Sequence, residues 1–162
     1  MEPREVVTLN RIGSGHYVIG GRSPAELRLA RWRYRAEAFV GGQRYELRRT
    51  GIIDRGSSVR GADGAEVLCL SRRHPNVPGL ADVDWRIRAR WRGYEARLTS
   101  PGAVELTVRT GHGGRSDVTA EIAGTLPNRD LVLVAAAFAV LLRRREDTDA
   151  AAGAAASTAA VG

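Results

Sequence analysis

Leu131-Val132-Leu133-Val134-Ala135-Ala136-Ala137-Phe138-Ala139-Val140-Leu141-Leu142 is a run of twelve residues without one polar side chain. Asn128 and Asp130 precede it as capping candidates, and Arg143, Arg144 and Arg145 follow it as cations suited to the negative end of a helix dipole. The run therefore reads as a helix over about 130–145. A helix apolar on every side must be buried on every side. At ~1.5 Å per residue the apolar part is roughly 18 Å long, short of the ~30 Å hydrocarbon core of a bilayer. Its charged ends prevent extension, so it is expected to be a core helix, with Leu131, Val134, Ala135, Phe138, Leu141 and Leu142 as candidate core contacts. The alanines at 135, 136, 137 and 139 keep its middle thin, which lets surrounding chain approach closely.

What surrounds it is written with a period of two. Trp32, Tyr34, Ala36 and Ala38 alternate with Arg31, Arg33, Arg35 and Glu37, and Gly41-Gly42 then signals a hairpin before 43–49. The pattern recurs at 57–60, at 67–71 after the Ala62-Asp63-Gly64 turn, at 94–99, at 104–110 after Ser100-Pro101-Gly102, and at 117–123. Trp85, Ile87, Ala89 and Trp91 alternate with Arg86, Arg88, Arg90 and Arg92, which predicts a strand with both tryptophans on its apolar face. Ser23-Pro24-Ala25-Glu26 has the chemistry of a helix start, so at most a helical turn is expected near 24–29. Short antiparallel strands ending in a wholly apolar helix imply a mainly β fold, a meander curled into a barrel or half-barrel around that helix. The domain should occupy residues 1–145. Beyond it, 146–162 is dominated by Ala with Gly, Ser and Thr, too little apolar surface to offset its ordering entropy, and is expected to be a disordered tail.

At 162 residues, 43% hydrophobic and 27% charged, the chain has the composition of one globular domain, which excludes collagen, wholesale disorder and a multi-span helical membrane protein. It carries 25 Lys+Arg against 18 Asp+Glu for a net +7, and every one of those cations is arginine. The absence of lysine, with many Ala and Gly, fits GC-rich coding. Coding bias explains why the cations are arginine and not why they outnumber the acids. Arg143 to Arg145 are balanced by Glu146, Asp147 and Asp149, so the excess lies in residues 1–142. Cys69 alone cannot make an internal disulfide, and the start Met1-Glu2-Pro3-Arg4-Glu5 lacks a secretory pattern, so a cytoplasmic monomer is the default expectation.

Catalytic chemistry finds little support. His16, His74 and His112 lie in Gly- or Pro-flanked stretches, with no second ligand at metal spacing, and read as solvated loop residues. Asp82 and Asp84 lack the Gly turn and distal Glu of a calcium loop. The Gly111-His112-Gly113-Gly114-Arg115 loop could cradle an anion but reads as a flexible hairpin. No catalytic, cofactor or metal residue is assigned, and a non-enzymatic role is expected.

The arginine rows remain. Arg86, Arg88, Arg90 and Arg92 would stand outward at ~6.6 Å intervals, and with Arg31, Arg33 and Arg35 they are the candidate anion-binding residues. Glu95, Glu105 and Glu121 on neighbouring strands could instead offset them. An anionic phospholipid surface on the cytoplasmic side is the first partner class. Nucleic acid is the alternative, disfavoured by tryptophans expected to face away from the arginines. A purely structural or small-ligand barrel is the third possibility.

The meander, with Tyr45-Glu46-Leu47, the hairpin Ala62-Asp63-Gly64-Ala65-Glu66-Val67 and the terminal Asp130 to Phe138, resembles the tubby-like barrel superfamily, which includes tubby C-terminal domains, phospholipid scramblases and LURP-one-related proteins. The resemblance spans residues 5–145. It implies a barrel around a C-terminal helix and, through tubby domains, phosphoinositide binding by basic residues. Scramblases pair the barrel with an acidic calcium segment and a palmitoylated cysteine cluster, and this chain has a single cysteine.

Overall fold

The computed structural model describes residues 3–20, 24–31, 34–51 and 56–160. Among the described residues eleven antiparallel strands form one sheet, in the order β7-β6-β5-β4-β3-β2-β1-β11-β10-β9-β8, curled into a nearly closed barrel. The strands are β1 (Arg4–Gly13), β2 (His16–Ile19), β3 (Ala25–Leu29), β4 (Arg35–Val40), β5 (Gln43–Thr50), β6 (Gly56–Arg60), β7 (Glu66–Leu70), β8 (Asp84–Arg90), β9 (Gly93–Ser100), β10 (Val104–Thr110) and β11 (Val118–Gly124), followed by α1 (Arg129–Ala159). Every connection joins sheet neighbours except that from β7 to β8, whose strands lie at the two ends of the order. The two halves of the meander are joined by the pairing of β1 with β11, from Arg4↔Ala123 to Leu9↔Val118.

The apolar run fills the barrel. Every residue from Leu131 to Leu142 is buried, which satisfies the requirement of a helix with no polar face. Around it stand the inward residues of each strand, among them Leu9, Tyr17, Leu27, Ala38, Leu47, Val59, Leu68, Trp85, Leu98, Leu106 and Ala120. The thin alanine middle lets a polar group reach the helix, and Ser57 on β6 donates its hydroxyl to the Ala135 carbonyl at 2.9 Å.

β7 and β8 are not paired with each other, and a seam runs between them. The connection after β7 covers the edge of β7. Cys69 and Asn76 exchange two backbone hydrogen bonds of 2.8 Å, Val77 is buried, and the Ser100 hydroxyl donates to the Ala81 carbonyl at 2.5 Å. The barrel is tight elsewhere. Gly93 has φ 146°, and a Cβ there would fall 1.9 Å from the Thr110 carbonyl oxygen, while one at Gly124 would fall 2.1 Å from that of Ala103.

Four expectations are corrected. Residues 24–29 hold no helical turn, because Ala25 and Leu27 face the core in β3 and pair with Ile19 and Tyr17 on β2, so core burial overrides local start chemistry. β1 and β2 extend the meander below residue 31, where no strand was anticipated. Residues 146–159 are not a disordered tail but an exposed continuation of α1. Alanine is the best helix former and an existing helix needs no new nucleus, so the segment propagates without burial. Finally, Trp85 and Trp91 do not share a face. Arg90 pairs with Gly93, leaving Trp91 and Arg92 as the two turn residues, and Trp91 is 94% exposed while Trp85 is 1% exposed.

Candidate anion-binding end of the barrel

Because the strands alternate in direction, one end of the barrel collects the β1–β2 turn, the segment entering β4, the β8–β9 turn and the β10–β11 loop. The helix leaves through this end and is tied to its rim. Arg144 donates to Thr110 Oγ1 (3.2 Å), to the carbonyls of Gly111 (3.3 Å) and Gly113 (2.9 Å), and to the Tyr17 hydroxyl oxygen (3.2 Å). Arg145 donates to the Ala30 carbonyl at 2.6 Å, and Arg49 to Glu146 at 2.5 Å while its guanidinium stacks on the Tyr34 ring. His112 donates from Nε2 to the Trp91 carbonyl at 3.1 Å and meets the Tyr94 ring edge-on. Three arginine-led attachments thus hold hairpins that are far apart in sequence.

The arginines expected to bind anions are mostly engaged within the protein. Arg86 bonds Asp84 at 2.9 Å, and Arg88, Arg90 and Arg109 each reach Glu95 at 2.9 Å. Arg109 also bonds Glu121, Arg97 faces Glu105, and Arg35 faces Glu46. Glu95, Glu105 and Glu121, which the strand pattern nominated, are among the offsetting acids, while Asp84 and Glu46, which it did not, offset Arg86 and Arg35. Glu95 is buried beneath its three arginines. Burial acts to raise its pKa, but the hydrogen bonds from Arg88, Arg109 and Arg90 overcome that and hold it at about 2. Arg31 is also engaged, and Arg33 and Trp32 lie outside the described residues. Of the seven candidates, Arg92 is exposed on its turn and has no ion pair among the described residues.

A different set converges at the helix exit. Arg11, Ser14, Tyr17, His112, Arg144, Arg145 and Asp149 line a cavity of about 330 Å³. Val7, Leu9 and Arg11 share the inward face of β1, so Arg11 occupies the last core position before the rim and sits opposite Tyr17 in the β1–β2 register. Its Nε is buried with no hydrogen-bond partner among the described residues. Arg144 and Arg145 donate to neutral oxygens, and among the described residues no carboxylate forms an ion pair with any of these three guanidiniums, although Asp117 accepts from the Arg11 backbone N–H at 2.8 Å. Period-two reading of Val7-Thr8-Leu9-Asn10-Arg11 would have placed this cation inward. The sequence carries this signal in a stretch where the period-two pattern from residue 31 onward predicts no strand. A larger groove of about 670 Å³ beside β4 and β5 contains Arg28, Arg35 and Arg44, each paired with Glu26, Glu46 or Glu37, so its charge is balanced.

The remaining candidates are dispersed. His16 stands half-buried in β2, 3.2 Å from Glu26, and not in a loop. His74 and His112 are exposed, and Cys69 is buried in β7. Among the described residues no group of three or more His, Cys, Asp or Glu could hold a metal, and no helix is long and apolar enough to cross a membrane. No family model, curated protein or solved structure matches the chain.

Proposed function

We propose that this domain is a non-enzymatic module that docks peripherally on an anionic phospholipid surface, at the cytoplasmic face of a membrane, through the barrel end where the helix emerges. The observation that carries the reading is Trp91, 94% exposed on a turn between Arg90 and Arg92. An indole lying free in water beside cations is suited to the headgroup region, where its ring meets acyl chains and its N–H meets polar groups. Ile12, 61% exposed beside the β1–β2 turn, adds apolar surface at the same end. Arg92 and Arg115 are exposed there without ion pairs among the described residues, and each cation near an anionic leaflet contributes about 1 kcal/mol. The tubby-like resemblance belongs to the same proposal, supported by a barrel wound around a C-terminal helix.

Vesicle sedimentation tests this. Binding to phosphatidylserine vesicles should be present at low salt, fall as salt rises, and disappear in Trp91→Ala. Binding to neutral vesicles of equal strength would overturn it.

The exposure of Trp91 also removes the objection to nucleic acid, since a base could stack on an indole flanked by arginines. A single-stranded oligonucleotide that binds tighter than vesicles, with the same Trp91 dependence, would make that the better reading.

A further inference from the structure

We infer that the cavity at the helix exit is a discrete binding site for a phosphomonoester dianion, carried on a small soluble molecule or on a lipid headgroup. This goes beyond surface docking, which needs only diffuse charge and an exposed indole. The argument starts from Arg11. A cation on the inward face of a strand, with a buried Nε that has no hydrogen-bond partner among the described residues, carries a desolvation cost at that nitrogen. Arg144 and Arg145 border the same space, and their contacts with carbonyl and hydroxyl oxygens fix the guanidiniums without neutralising them. Tyr17 is 1% exposed and accepts from Arg144 through its hydroxyl oxygen, so its own hydroxyl hydrogen remains to be donated into the cavity.

Three guanidiniums border the cavity with the carboxylate of Asp149, and the Asp117 carboxylate accepts from the Arg11 backbone N–H at 2.8 Å, so cations stay in excess among the described residues. An excess of that sign suits an anion such as a phosphomonoester, which carries about −1.5 to −2 at neutral pH. Arginine's planar fork suits phosphate oxygens better than a diffuse ammonium would. A volume of about 330 Å³ is at the small end of ligand cavities and leaves room for a short organic substituent beside the phosphate. The site lies at the same end as Trp91, so a phosphate on a lipid headgroup and one on a free metabolite can both reach it.

The test uses the full chain. Titration with glycerol 3-phosphate should saturate at one site, and dimethyl phosphate, a diester with one charge, should bind at least about tenfold more weakly. Arg11→Gln should weaken glycerol 3-phosphate by about tenfold or more. Asp149→Asn should tighten it by about threefold, a gain that misfolding cannot produce. Trp91→Ala should leave it unchanged. Absence of saturable binding, equal binding of the diester, or indifference to both Arg11→Gln and Asp149→Asn would overturn the site. Vesicles separate the sources: preference for phosphatidic acid over phosphatidylserine at equal surface charge assigns the phosphate to a lipid, and equal retention assigns it to a soluble ligand. If glycerol 3-phosphate binds while no vesicle does, docking falls and the site stands. If vesicles bind while glycerol 3-phosphate does not, the site falls and docking stands.

Discussion

The hydroxyl of Ser57 and the carbonyl of Ala135 meet at 2.9 Å in the middle of the barrel, joining β6 to a helix 78 residues further along the chain. Both residues are buried, and only a small side chain at 135 leaves room for the approach. Ser57→Ala should therefore lower stability by about 1 kcal/mol in urea denaturation with an unchanged m-value. Ala136→Asp, one residue further along the enclosed helix, should prevent folding outright, seen as loss of the cooperative transition.

Glu95 makes acid the weak side of this protein. Its carboxyl titrates near 2 when folded, below its ordinary value of 4.5, so the folded state binds fewer protons and stability falls as pH drops. The contribution is complete above the unfolded value and is lost as pH falls from about 4.5 to about 2. Glu95→Gln should remove that slope and lower neutral-pH stability by about 2 kcal/mol, discounted because Arg88, Arg90 and Arg109 are roughly half exposed. An acid-unfolding profile with the same slope in wild type and Glu95→Gln would show that the cluster does not set it.

Gly93 should tolerate no side chain. A Cβ 1.9 Å from the Thr110 carbonyl requires the β9–β10 ladder to shift, so Gly93→Ala should cost about 2–3 kcal/mol, read as a lowered melting temperature. Gly102, at φ 72° with open space around it, should cost about 1 kcal/mol when changed to Ala, from backbone strain alone.

Removal of residues 150–162 should leave the melting temperature unchanged, because no described residue from 150 onward is buried. A cut after Arg145 should cost about 1 kcal/mol, since it also removes Glu146 from Arg49 and Asp147 from Arg143. Helix content measured by circular dichroism should fall in both truncations, in proportion to the residues lost.

The core was legible because its signal is local and needs no partner: Leu131 to Leu142 contain no polar residue, so no alternative face exists. Strands with strict alternation, such as 85–90 and 104–110, were legible for the same reason. β3 was misread because Ser23-Pro24-Ala25-Glu26 is a sound helix start in isolation, and the competing force, burial of Ala25 and Leu27 against β2 and β4, acts between distant segments. Trp91 was misplaced by a single residue of turn geometry, which alternation cannot register. The arginine rows were seen but their meaning depended on register. Only the pairing of Arg88 with Glu95, and the collection of Arg90 and Arg109 on the same carboxylate, shows that they are occupied. Arg11 and Arg144 come together across 133 positions of chain at a cavity that no local pattern describes.

The position of α1 after every strand bears on how the protein is made. The eleven strands leave the ribosome before the segment that fills them, so the growing chain has a curved sheet with nothing to enclose. β1 meanwhile waits for β11, and during that interval it presents an unpaired edge. Folding is thus deferred until the last apolar turn has been synthesised, and the nascent chain depends on its arginine-coated outer face, or on a chaperone, to stay apart from its neighbours.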